Sequence, residues 1–155
     1  MEKIEKSIDY KFKNRELLEN ALRHTSYAYE NHTTSNEKLE FLGDSILEYV
    51  SSEYLFTHYK NLKEGEMTKV RATVVCEKSL YKIAQKHRFD EYIKVGRSER
   101  HTHGNKKPAI MADSVEAIIA AIYLDGGMEP AKKFIIENLK DEIEIATKNV
   151  GDKDY

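Results

Sequence analysis

Excess positive charge, cysteine, proline and long apolar runs are all scarce in this 155-residue chain, and each scarcity excludes something. Cys76 is the only cysteine, so no intramolecular disulfide can form, which suits a reducing compartment. Acid and base nearly balance, with a formal net charge of −2; the basic excess that marks many nucleic-acid binders is missing. The strongest apolar stretch, around Ala117–Leu124, falls far short of the roughly 20 residues of a membrane helix. The opening MEKIEKSIDY is too charged for a signal peptide. These exclusions predict a soluble, cytoplasmic protein without a membrane partner. Composition, 40% apolar and 34% charged, is that of one globular domain able to bury a core.

Only Pro108 and Pro130 interrupt the chain, and most of it carries helical periodicity. Asn14 is placed to cap a helix over Arg15–His24, with Leu17, Leu18, Ala21 and Leu22 along one stripe. Asn31–Ser35 reads as a loop, and Asn36 can cap a long helix towards Tyr59. Glu66–Cys76 and Glu77–His87 follow as helices, Tyr92–Val95 as a short extended piece, and Gly96–Lys107 as a flexible basic loop. Pro108 opens an unusually apolar helix to about Leu124, ended by Gly126-Gly127. Pro130 lies in the first turn of a last amphipathic helix to about Lys148. With no alternating strand pattern and no internal repeat, the predicted fold class is all-α.

Two helices carry acids in unexpected places. In NEKLEFLGDSILEYV, Leu39, Leu42, Ile46 and Val50 share one line at about 100° per residue, and Glu37, Glu40 and Asp44 point away from it. Glu40 and Asp44, at i and i+4, repel each other, and a solvated polar face would explain them. In IMADSVEAIIAAIYLDGG the clear exceptions to an apolar helix are Asp113, Ser114 and Glu116. A helix apolar on most sides is buried, so Asp113 and Glu116 need either Lys or Arg partners or a cation. Two acid pairs on two helices suggest one site built between them. Carboxylates without His or Cys favour a hard cation such as Mg²⁺ or Mn²⁺, and hydrolytic phosphate chemistry over redox chemistry. Phe41 lies on the acidic side of its helix, where a large apolar residue marks either an interface or a contact with another part of the chain.

These segments resemble the ribonuclease III family. NEKLEFLGDSILEYV is similar to its signature, MADSVEAIIAAIYLDGG to its second acidic motif, and ALRHTSYAYEN and LKEGEMTKVRATVVCEKSL to the segments flanking the signature, in the same order. The resemblance runs from about Asp9 to Asn149 and implies an all-α helical bundle that forms a homodimer along a valley for double-stranded RNA. It assigns residues 1–149 to the catalytic domain. Residues 150–155 would be a polar tail, or the start of a linker to a double-stranded-RNA-binding domain that bacterial members carry beyond this point. By the same resemblance Glu40, Asp113 and Glu116 ligate Mg²⁺ (Mn²⁺ being able to substitute), and Asp44 completes the site through water. Asp44 and Glu116 would then be the catalytic pair, with no small-molecule cofactor. Products would carry 5′-phosphate and 3′-hydroxyl ends with short 3′ overhangs, and ribosomal RNA precursors are the family's usual substrates.

The resemblance further places Glu37 and Glu64 near the cutting site and makes Phe41 a dimer contact. Candidate phosphate contacts are Lys69, Arg71, Arg97, Arg100, Lys106 and Lys107, each of which would otherwise be an ordinary solvated charge. Ala120 stands where many members have glycine, away from the acids. His101 and His103 form a His-x-His without a partner acid or cysteine, and Cys76 lacks a paired histidine, so neither suggests a site. Rival readings are a relative that grips RNA without cutting it, and a helical domain whose acid pairs coincide by chance.

Overall fold

A computed structural model of the chain describes residues 1–152, and their side chains through Val150. Its centre is α8 (Pro108–Gly126), whose Val115, Ala117, Ile118, Ile119, Ala121 and Ile122 are fully sheathed by neighbours. Proline at the first position costs this helix no hydrogen bond, and Gly127, at φ 93°, ends it in a conformation that L side chains avoid. Around α8 pack α2 (Arg15–Ala21), α4 (Glu37–His58), α6 (Glu77–Lys86) and α9 (Met128–Asp152), while α5 (Glu64–Val74) bridges α4 and α9. Among the described residues there is no strand, only the isolated bridge Arg23↔Lys94 where the extended piece was predicted. The all-α expectation holds.

Side chains tie the remaining pieces to this bundle. Asp125, at the end of α8, accepts from the Tyr10 hydroxyl at 2.6 Å and from the Lys13 and Asn14 N–H groups at 2.9 Å. His87 joins α1 (Glu2–Ile8) to α9: its Nε2–H donates to Asn138 Oδ1 at 2.8 Å and its Nδ1 accepts from the Ser7 hydroxyl at 2.6 Å. The Asn138 amide is oriented for this by donating to the Phe134 carbonyl.

Several expected boundaries change. α2 stops at Ala21, and His24 instead caps a separate short helix α3 (Thr25–Asn31), its ring nitrogen taking the Ser26 N–H. Asn36 does not cap α4 with its side chain; its amide donates to the Ala21 carbonyl, and Ser35 Oγ takes the Glu37 N–H. The helix expected to reach Cys76 ends at Val74, and Cys76 caps α6. Gly96–Lys107 is not a free loop: it holds α7 (Arg97–His101) and a 3₁₀ turn, Gly104–Lys106. Glu30 accepts the Arg97 N–H, Lys107 pairs with Glu99 at 2.6 Å, and the Asn105 amide donates to the Asp90 carbonyl. Of the polar tail expected at 150–155, α9 takes residues to Asp152, and 153–155 lie outside the described residues.

Candidate active site

α4 and α8 meet at a glycine. Gly43 is buried, and a Cβ built on it would fall within 2.5 Å of the Glu116 carbonyl carbon and closer still to its oxygen. The two helix backbones therefore touch here, as only a residue without a side chain permits. Glu40 lies one turn before this contact and Asp44 directly after it, so backbone contact brings both to Asp113 and Glu116 on α8. One carboxylate oxygen each from Glu40, Asp113 and Glu116 can be chosen so that all three lie within 4.8 Å of one another. Asp44, more exposed, lies close enough to Glu116 to act on its carboxyl.

No Lys or Arg forms an ion pair with any of these four acids among the described residues. The electrostatic consequence is large. Burial, then its neighbours Asp44, Glu40 and Asp113, push the Glu116 carboxyl up to about 9. Burial and the charges of Asp113, Glu37 and Asp44 push Glu40 up to about 7. Asp113 is raised too, first by burial and then by Glu77 at the start of α6. Half-buried acids that hold protons near neutral pH, with no lysine or arginine paired to them among the described residues, suit a divalent cation. An all-oxygen carboxylate set suits a hard divalent ion such as Mg²⁺ or Mn²⁺. Among the described residues, Asp113 and Glu116 have no lysine or arginine partner that would make them structural.

A pH-dependent metal response follows. Below about 7 and 9, protons on Glu40 and Glu116 occupy the oxygens that a cation needs. Mg²⁺ or Mn²⁺ is therefore expected to raise the melting temperature more at pH 8.5 than at pH 5.5. Thermal unfolding with increasing divalent ion at both pH values checks this; an equal shift at the two, or none, would count against the site.

Other sequence candidates fall in different places. Glu37 is exposed in the first turn of α4, close enough for its charge to act on Glu40. Glu64 opens α5 and lines a surface groove with Tyr49, Phe56, Met67 and Arg71. Arg71 is held by Glu48 at 3.0 Å and by Ser52 Oγ at 2.9 Å, and Lys107 by Glu99, so neither is a free cation. Lys69, Arg97, Arg100 and Lys106 are exposed without an ion pair among the described residues. His101 and His103 belong to no metal-capable group among those residues, and Cys76 is exposed with its thiol near the Thr73 carbonyl.

Phe41 is 80% exposed, and α4 presents two further aromatics, Tyr49 at 55% and Phe56 at 72%. These two are seven residues apart, a spacing of two turns that was readable in the sequence and missed. Gly43 and Glu77 were also missed. Glu77 had no local signal, because its helix start reaches Asp113 only through packing.

A sequence model of the family described as Ribonuclease-III-like matches residues 14–143. A Ribonuclease 3 from Clostridium kluyveri is 48% identical over 99% of this chain, which spans 64% of that relative's length. A Ribonuclease 3 from Caldanaerobacter subterraneus subsp. tengcongensis is 43% identical over 98% of this chain and 68% of its own length. Among solved structures, the nuclease domain of ribonuclease III from Campylobacter jejuni superposes with a TM-score of 0.85 at 40% identity, over 91% of this chain and 96% of that one. Architecture, family model and relatives agree that this chain belongs to the ribonuclease III family.

Proposed function

We propose that this chain is the catalytic domain, residues 1–149, of a ribonuclease III that hydrolyses phosphodiester bonds of double-stranded RNA with Mg²⁺. The observation that carries this is the group of Glu40, Asp113 and Glu116 between α4 and α8, with Asp44 beside it and no lysine or arginine paired to it among the described residues. Glu40, Asp113 and Glu116 would hold the ion, and Asp44 would complete the site from its exposed edge. Bound there, Mg²⁺ supplies Lewis acidity to the scissile phosphate and eases deprotonation of the attacking water. Glu116, with Asp44 beside it, would orient that water and hold its proton.

Water attack at phosphorus with departure of the 3′ oxygen gives 5′-phosphate and 3′-hydroxyl ends. Two sites in a symmetric dimer, one per strand, give short 3′ overhangs. The chain's near-neutral charge assigns it a modest share of RNA affinity, through Lys69, Arg97, Arg100 and Lys106, with Glu37 and Glu64 beside the cutting site. The natural context of this reading is the cytoplasm and the maturation of ribosomal RNA and other structured transcripts.

The dimer is proposed through the exposed α4 aromatics. In the Campylobacter jejuni nuclease domain a region is involved in dimer formation, and Phe41 is the most exposed aromatic of α4 here. Phe41→Ala is expected to weaken self-association at least about 30-fold, the effect of losing a buried aromatic anchor. Sedimentation equilibrium measures it; an unchanged dimer constant would remove Phe41 from the interface.

The function is tested by incubating purified protein with a long RNA duplex, single-stranded RNA or duplex DNA, in Mg²⁺ or EDTA. Cutting of the RNA duplex alone, and only with Mg²⁺, is the expected result. Intact RNA duplex after incubation with folded, dimeric protein carrying a fused double-stranded-RNA-binding domain would overturn the reading.

A further inference from the structure

His24 sits beside the acid cluster, and the proposed chemistry does not use it. Its backbone is fixed on both sides. The His24 N–H donates to the Lys94 carbonyl at 3.0 Å, and the preceding residue, Arg23, accepts the Asn36 N–H at 2.9 Å. Asn36 in turn accepts the Glu40 N–H at 2.8 Å, so two hydrogen bonds link the His24 segment to a residue of the cluster. The ring is fixed as well. Its Nδ1 accepts the Ser26 N–H at 3.2 Å and lies 2.8 Å from Ser26 Oγ, which itself accepts the Gly96 N–H at 2.8 Å. Nδ1 is thus an acceptor, and the neutral ring carries its proton on Nε2.

That Nε2–H has no acceptor among the described residues, and no buried side-chain nitrogen or oxygen among them lacks a partner. It is therefore not fully buried, and His24 lines a surface groove with Glu30, Gly96 and Glu99. The ring is near enough to Asp113 and Glu99 for a positive charge on it to favour both carboxylates. Of the other donors near this groove, the Lys107 ammonium is paired with Glu99 and the Arg97 backbone N–H with Glu30, while the Arg97 guanidinium is exposed without an ion pair among the described residues.

We propose that His24 is a substrate-contacting residue whose Nε2–H donates to a phosphate oxygen of the RNA strand lying across the acid cluster. This rests on the reading of the chain as a duplex-RNA nuclease. A rim of carboxylates repels a phosphate wherever no cation intervenes, and a pre-oriented N–H donor is what a strand passing over that rim can use. Duplex RNA is recognised through such backbone contacts, so the contribution is to affinity and register and not to sequence preference.

The test separates the two ring nitrogens. His24→Asn keeps an acceptor for the Ser26 N–H, asparagine being among the best helix caps, and removes the outer donor. His24→Gln returns a donor near the position of Nε2. Duplex-RNA affinity is measured by fluorescence anisotropy in Ca²⁺, so that the comparison does not depend on cleavage. His24→Asn is expected to bind about 10- to 100-fold more weakly, the range for a hydrogen bond to a charged group, with His24→Gln recovering most of the loss. Its melting temperature and its Mg²⁺-induced thermal shift are expected to match wild type. Equal affinity for wild type and His24→Asn overturns the proposal, as does a lost Mg²⁺ shift, which would mean that His24 acts on the acids and not on RNA. A wild-type protein that binds but never cuts in Mg²⁺ would sink the nuclease reading and leave this comparison standing.

Discussion

Glu116→Gln is expected to abolish Mg²⁺-dependent cleavage of duplex RNA and to make the metal-free protein more stable at neutral pH. The first effect comes from removing one of three clustered carboxylates and the partner of Asp44. Loss of several kcal/mol of metal-centred stabilisation predicts a rate drop of about 1,000-fold or more. The second effect follows from the direction of the Glu116 shift. Its folded-state value of about 9 lies above the ordinary 4.5, so between those values the folded protein holds a proton that the unfolded chain has released. Stability of the metal-free wild type therefore falls as pH rises through this window. Glutamine resembles the protonated acid, and the variant loses that part of the pH slope. Thermal melts in EDTA are expected to show the variant above wild type by about 3–6 °C at pH 8, with the gap closing towards pH 4.5. Wild-type turnover in the variant would remove Glu116 from the chemistry. A lower melting temperature in EDTA would show that the acid supports the fold instead of straining it.

Gly43→Ala is expected to do the reverse, destabilising the fold and loosening the site together. On helix propensity alone alanine in the middle of α4 gains about 1 kcal/mol over glycine. Packing opposes this, because the added Cβ would collide with the backbone carbonyl of Glu116, an atom that no side-chain rotation can move aside. The helices must separate, and overpacking of this kind costs about 3 kcal/mol or more, which outweighs the propensity gain. A melting temperature lowered by about 4–8 °C is expected, together with a weakened Mg²⁺-induced shift, since Glu40 and Asp44 would move away from α8. Calorimetry with and without Mg²⁺ reads both effects. A stabilised variant would mean that the α4–α8 contact is looser than described.

Much of this molecule was legible before its structure. The buried character of α8 followed from its unbroken apolar run, and the extent of α4 from the Leu39, Ile46 and Val50 line, all three now buried. Asp113 and Glu116 stood out because each interrupted an apolar run, and Glu40 because it sits one turn from Asp44, a like charge. The short elements were not legible. α3 and α7 have seven and five residues, too few to establish a period, and they exist because His24 and Glu30 supply acceptors to their first N–H groups. Nor could the sequence distinguish Lys107, paired with Glu99, from Lys106, which has no such partner among the described residues. Both are lysines of one basic run, and the difference lies in which way the chain turns between them and α7.

Spacing along each helix decided by itself which acids share a face, because helical geometry is local and every residue's direction follows from its number. Whether the two acidic faces meet was decided by packing alone. The two acid pairs lie about seventy residues apart in the chain, and a glycine between Glu40 and Asp44 allows α4 to touch the backbone of α8. Isolated, each pair is two like charges on a solvated helix. Brought together and half-buried, they take up protons or a divalent ion, because the fold has removed the water that kept them apart and, among the described residues, paired none of them with a lysine or arginine.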